Sequence, residues 1–401
     1  MTLLSPDLLR STPPPRFALW QLGFRPFFLA GSLYALVAMT LWLLQNSGFN
    51  LIPSHSLPAY LWHAHEMIFG FTLAIVVGFL LTAAKNWTGI QTLRNLPLAA
   101  LLLLWLLARL AMWWHELLPW AVVLLSQVTF IIAATLAIAS PLLRARQWHQ
   151  MSIVGKLGFL AVAELLFFLG LNGTLPHGLQ WGLYSGFYTL LALVLLMIRR
   201  VVPFFIERGL QGRFQPQNHR WVDLAGLWLF TAFAIVDAFA LQPILAATLA
   251  LLLALLHAYR FVGWHHREIW GLPLVWSLMA AYLTMIGGFL LHFLTLFGYP
   301  HSWAMHAFAI GTFGLITTGM MARVTLGHTG RDINRPPSGL SAIFILLLLA
   351  LLLRLLLPQL SEGFYPLSVQ LAQGCWIGAY AIFSWHYLPL LWQPRIDGQP
   401  G

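Results

Sequence analysis

Histidine is the residue type whose chemistry and placement point to a site in this 401-residue chain, which carries fifteen of them. His63 and His65 stand in Trp62-His63-Ala64-His65-Glu66-Met67, at the start of an apolar stretch. His292 lies near the end of a later stretch, and His301 and His306 flank the start of the one after it. At a helical rise of ~1.5 Å per residue, His65 and His306 each sit about one turn inside a helix start. His63 and Glu66 are three apart and share a helix face, whereas His65 points away from His63. Neutral imidazole suits iron, copper and zinc, and the thioethers of Met67 and Met305 beside these histidines favour cuprous ion. Non-covalent haem b needs one or two histidines on facing helices and a dry aromatic pocket, which 19 Trp and 28 Phe can supply. A single histidine at this depth would belong to the headgroup layer, as Trp and Tyr do. As a group, His63, His65, His292, His301 and His306, with Met67, read as metal ligands, and His65, His292 and His306 as the candidates for haem. His149, His219, His265 and His266 fall in cation-rich loops, and the adjacent pair His265-His266, next to Arg267, is set aside as a copper site.

The elements that must position these side chains follow from composition. Apolar residues make up 60% of the chain and charged residues 8%, too few charges for a water-facing globular surface. Mean hydropathy is +0.79. Disorder, a collagenous fibre and a disulfide scaffold are excluded, since Cys375 is the single cysteine. Covalent c-type haem is excluded too, because no C-x-x-C-H occurs. Apolar stretches of membrane-spanning length predict an all-α, polytopic bundle of about twelve transmembrane helices forming a single domain over 1–401. The expected spans are 24–45, 62–84, 95–113, 119–143, 153–170, 178–199, 221–241, 243–260, 272–296, 302–322, 338–357 and 365–391. Pro26, Pro119, Pro243 and Pro273 stand near proposed starts, where a missing N–H does no harm. Nineteen of the 21 Lys and Arg then fall on one side, leaving Arg109 and Arg354. By the positive-inside rule that side is cytoplasmic, with the segment 1–23 and the tail 392–401 both inside. The segment 1–23 has no pattern of a cleaved signal. The net charge of +10 is therefore orientation in the lipid bilayer, and nucleic acid is not an expected partner.

Ionisable groups inside hydrocarbon are costly and mark function. Glu66 and Glu164 read as the intramembrane acids. Glu66 is placed to accept from a ligand histidine and fix its tautomer. Glu164 either carries protons or pairs with a polar neighbour. An internal echo adds to this: at an offset of 241, Trp62, His65, Gly70, Ile75, Gly78 and Thr88-Gly89 meet Trp303, His306, Gly311, Ile316, Gly319 and Thr329-Gly330. The second and tenth spans run in the same direction, so a local two-fold axis would let His65 and His306 face each other. They would serve as two axial ligands or as neighbouring haem and copper ligands.

Further motifs punctuate the chain. Gly23-Phe24-Arg25-Pro26-Phe27-Phe28 precedes His63-Ala64-His65-Glu66-Met67, followed by Gly78-Phe79-Leu80-Leu81-Thr82-Ala83 and Asn86-Trp87-Thr88-Gly89. Arg200-Val201-Val202-Pro203-Phe204-Phe205, Arg323 and Gly327-His328-Thr329-Gly330-Arg331 come later. Together they resemble the NnrS family of polytopic bacterial inner-membrane proteins, from the first span through the loop after the tenth. The resemblance implies haem and copper as cofactors and a part in the nitric oxide response. It departs from the family pattern at Met279, where a histidine is common, and at Glu164 and Phe168, where an asparagine and a histidine are common. The Gly327–Arg331 motif admits two readings. One is a tight basic turn at anionic headgroups. The other is a second site with Trp87, His257 or His386, in which His328 contributes and Arg323 or Arg331 holds haem propionates.

Three functions fit. The first is a haem- and copper-binding membrane protein protecting against nitric oxide, with nitric oxide as its small ligand. The second is a haem–copper-like oxidoreductase that consumes nitric oxide, for which the sequence identifies no electron donor. The third is a transporter of a small solute or metal, which twelve helices and an internal repeat suit. No P-loop is present to support ATP-driven work.

Overall fold

The computed structural model describes residues 17–399, so Arg10 and Arg16 of the N-terminal segment lie outside the described residues. Twelve long helices carry the chain: α1 Phe24–Phe49, α2 Ala59–Thr88, α3 Asn95–Trp113 and α4 Trp120–Arg144. These are followed by α5 Met151–Leu171, α6 Gly178–Gly209, α7 Arg220–Ala238 and α8 Pro243–Trp264. The last four are α9 Pro273–Phe297, α10 His301–His328, α11 Leu340–Leu360 and α12 Tyr365–Trp392. Each answers to one expected span, and the described residues contain no strand. Eleven are long and apolar enough to cross a membrane. The twelfth, α12, has the length but carries Ser368, Gln370 and Gln373 in its opening turns. It is held between α1 and α11.

Helices are the form available because each satisfies its own backbone groups in hydrocarbon. Pro243 and Pro273 open α8 and α9 where no amide is needed. The largest departure from the expected spans is α6, which continues to Gly209. Its extra turns are held by polar contacts at the cation-rich face. Arg200 donates to Gln150 at 2.5 Å, and Arg199 pairs with Asp223 at 2.6 Å.

Packing repeats every four helices. α1 packs on α12, α5 on α4, and α9 on α8, so the first helix of each four-helix set meets the last helix of another. The second helices of the three sets, α2, α6 and α10, touch one another at the centre. The sequence echo therefore joins two members of a three-part series, in place of the isolated two-fold pair anticipated. Lipid-facing helices have no hydrophobic drive to associate, so close approach of backbones must supply dispersion contacts. Gly78 on α2 shows this, because a Cβ there would lie 2.7 Å from Cβ of Phe27 on α1.

The echo extends into the backbone. α2 widens to a π-helical segment at Glu66–Thr72, and α10 does so at Ala307–Gly314, which starts at the same position at the 241 offset and runs one residue further. Such widenings shift the register of the side chains beyond them and recur at functional sites. Both cations outside the cation-rich face have partners. Arg109 pairs with Glu66 at 2.5 Å, and Arg354 donates to the Tyr365 hydroxyl at 3.0 Å.

Candidate metal centre and buried acid–base chain

Four helices bring their ends together at the face opposite the cations. α7 ends at Ala238 and presents Asp237, α9 presents His292 in its last turns, and α10 opens with His301. The first turns of α6 add Tyr184 and Tyr188. His292 Nε2 is 2.8 Å from Asp237 Oδ1, and His301 Nε2 is 3.5 Å from Oδ2. The Tyr188 hydroxyl donates to Oδ2 at 2.5 Å, and the Tyr184 hydroxyl lies 3.3 Å from His301 Nδ1. The two imidazole rings meet edge to face, with centroids 5.0 Å apart. One ligand atom from each of Asp237, His292 and His301 lies within 4.8 Å of the others. Two imidazoles and a carboxylate suit divalent copper, zinc or iron better than cuprous ion, which prefers sulfur. His292 is 3% exposed and His301 33%, so the cluster is backed by protein and open on one side. Phe233 closes the inner wall, its ring 4.9 Å from that of His292.

A second polar group is sealed among α1 to α5. His65 is fully buried, its Nδ1 2.9 Å from Glu66 Oε1 and its Nε2 3.0 Å from Glu164 Oε2. Glu66 also accepts from Arg109 at 2.5 Å and from the Tyr34 hydroxyl. Arg109 reaches on to Gln127, which donates to the Ala108 carbonyl at 2.8 Å. An imidazolium, a guanidinium and two carboxylates sum to zero charge, and this balance makes burial tolerable. Both ring bonds of His65 formed at once require an imidazolium or one protonated carboxyl, so the trio shares a proton. Phe69 and Phe167 exclude water, their rings 5.1 and 4.8 Å from that of His65. Gly70 makes room for the ion pair, because a Cβ there would lie 2.8 Å from Tyr34 and 2.9 Å from Arg109 Nη1.

Residues 18–395, nearly the whole described chain, match the NnrS protein family. The chain belongs to the NnrS family. It is accordingly a multi-pass membrane protein related to the nitric oxide response. No curated protein matches it.

Seen as an NnrS-family protein, its expected site residues divide into separate groups. His292 and His301 come together; His65 goes with Glu66 and Glu164. His306 donates through Nδ1 to the Ser302 carbonyl at 2.6 Å, which leaves Nε2 free for a ligand. His63 stacks on Trp42 at 4.9 Å with a buried Nδ1 that has no partner among the described residues. Met67 and Met305 pack at the edge of the core. Arg323 and Arg331 do not share a pocket: Arg323 lies 3.7 Å over the Phe205 ring, while Arg331 donates to Gln393 at 2.6 Å. His328 lies beside Asn86 and the Phe24 ring. In the loop pair, His265 accepts from the Trp270 indole at 3.1 Å, and His266 accepts from the Glu268 amide at 3.4 Å. At the departures from the family pattern, Met279 is buried in α9, while Glu164 and Phe168 line the His65 pocket.

Asp237 is the member of this candidate centre that sequence reasoning missed. Naming Glu66 and Glu164 as the intramembrane acids overlooked it, although it lies inside the expected span 221–241. The signal that applied to those two applied equally to Asp237.

Proposed function

We propose that this protein binds copper at Asp237, His292 and His301 and protects the bacterial inner membrane and its surroundings from nitric oxide and nitrosative stress. The observation that carries this reading is the convergence of two imidazoles and a carboxylate from three helices at one open-sided point. Copper bound there would supply one-electron chemistry and an open position for a small ligand such as nitric oxide. The chain's own residues do the rest. Tyr188 orients the carboxylate through Oδ2, and Tyr184 addresses the remaining nitrogen of His301, so both ligands are held before a metal arrives. The His65 trio holds a proton in a water-excluded place.

Haem fits this chain less completely. His306, with Nδ1 tied to a carbonyl and Nε2 free, would be able to hold a haem iron. His65, with both nitrogens engaged by carboxylates, would not. Haem remains a cofactor implied by family membership, with His306 the candidate ligand. The oxidoreductase reading draws support from one observation, the buried Glu164–His65–Glu66 series, since consuming nitric oxide by reduction requires protons.

The test is paramagnetic resonance of cupric-loaded protein, with optical spectra of the reduced protein with and without nitric oxide. Two coupled imidazole nitrogens are expected, with most of the signal lost in His301→Ala, together with a spectrum that changes on adding nitric oxide. A signal without nitrogen coupling, or spectra indifferent to nitric oxide, would overturn the proposal.

A further inference from the structure

Two motifs that the metal centre does not use meet at the cation-rich face. Arg25, from Gly23-Phe24-Arg25-Pro26-Phe27-Phe28, is fully buried in the first turn of α1. Its Nη1 donates to the carbonyls of Leu391 and Gln393, both at 2.8 Å. Its Nε and Nη2 are buried and have no partner among the described residues. Arg331, from Gly327-His328-Thr329-Gly330-Arg331, donates through Nη2 to the side chain of the same Gln393 at 2.6 Å, and its Nη1 is likewise buried and unpartnered. Two guanidinium groups thus converge on one residue of the tail, each with donors to spare.

The surroundings deepen the imbalance. Arg331 and Arg395 stand near enough for their charges to oppose that of Arg25. The nearby carboxylate, Asp397, is taken: Arg395 binds it through Nε at 2.9 Å and Nη2 at 2.5 Å. Gly330 has a φ of +74° and brings the backbone to where a Cβ would be 3.1 Å from Asp397, docking the tail against the motif. Burial of a guanidinium edge without an acceptor is among the costlier arrangements in a protein. The Nε–Nη2 edge of an arginine matches two oxygens of a phosphate or carboxylate group. The start of α1 adds the positive end of a 26-residue helix.

We propose that Arg25 and Arg331 form a binding site for a phosphate group, supplied by the headgroup of an anionic phospholipid or by free inorganic phosphate. The site lies at the ends of α1, α10 and α12, the level at which headgroups of the cation-rich leaflet stand. It ties the first helix, the loop after the tenth and the C-terminal tail into one unit, and it gives the two motifs a common purpose.

The test uses the full-length protein in neutral detergent, with thermal midpoint and native mass spectrometry as readouts. Probes are phosphatidylglycerol, phosphatidylcholine and inorganic phosphate. Phosphatidylglycerol is expected to raise the midpoint and remain bound, and phosphatidylcholine to do neither. A matching rise with inorganic phosphate assigns the site to the free anion, and no rise with it assigns the site to the lipid. Arg25→Gln should abolish the effect. Because it is fully buried and its loss can unfold the chain, Arg331→Gln is the second variant, expected to weaken binding about tenfold. Arg146→Gln, an exposed cation of the same face away from the motifs, should leave binding unchanged. Absence of any midpoint rise in the wild type, or an equal loss in Arg146→Gln, overturns the proposal. So does a loss of haem in Arg331→Gln with the lipid effect intact, which would assign the guanidinium to a propionate instead.

Discussion

The candidate metal centre and the His65 chain combine the same ingredients, imidazole and carboxylate, in opposite proportions. At the metal centre two histidines approach one carboxylate, and a third of His301 remains open to the outside. Around His65 two carboxylates approach one histidine, an arginine balances them, and aromatic rings shut the pocket. The first arrangement has an excess of neutral nitrogen donors around a single negative charge, which a cation can replace or join. The second is electrically complete and has no room for one. The ratio of imidazole to carboxylate and the access to solvent, more than the presence of histidine, distinguish the two clusters.

The comparison can be broken most forcefully on the sealed side. Arg109→Ala leaves Glu66 and Glu164 buried against one imidazolium and should cost about 3–5 kcal/mol of stability. Unfolding in a mild detergent series would show this as a large drop in midpoint, or as failure to accumulate in the membrane. Asp237→Ala is next. It should weaken copper binding more than about 100-fold, about 2.7 kcal/mol, by chelator competition, while the helices keep their thermal midpoint within a few degrees. If the two variants exchanged these effects, the assignment of roles would be reversed. Gly70→Ala sharpens the sealed side: its methyl must displace Tyr34 or Arg109, at a cost of about 1–3 kcal/mol, and copper binding should be untouched. Tyr188→Phe sharpens the open side, where loss of the hydroxyl that orients Asp237 should lower copper affinity about tenfold with no change in fold.

The helix plan was legible because hydrocarbon imposes it: all twelve expected spans correspond to helices, and the cations sort them by side. That His292 and His301 stand close together was legible because both fall at one depth beside a short outer turn. Asp237 was not recognised, because a carboxylate near a span end is unremarkable until α7 is seen packed against the ends of α6 and α9. The link between His65 and Glu164 crosses 99 residues, and nothing in either helix taken singly specifies the other. The echo of α2 in α10 was visible in side chains, but the paired π-helical segments were not, since backbone register depends on neighbours such as Trp105, which donates to the Gly70 carbonyl at 3.0 Å. The three-part packing was hidden for a simpler reason: α5 to α8 share the arrangement without sharing the residues.

Copper stoichiometry of three purified proteins tests the central claim most directly: wild type, His301→Ala and Glu164→Gln. Glu164→Gln keeps the side chain's shape and can still bond His65. The account predicts one copper per chain in the wild type and in Glu164→Gln, and loss of most of it in His301→Ala. Full copper in His301→Ala together with its loss in Glu164→Gln would contradict it, and would move the metal into the pocket now assigned to a proton.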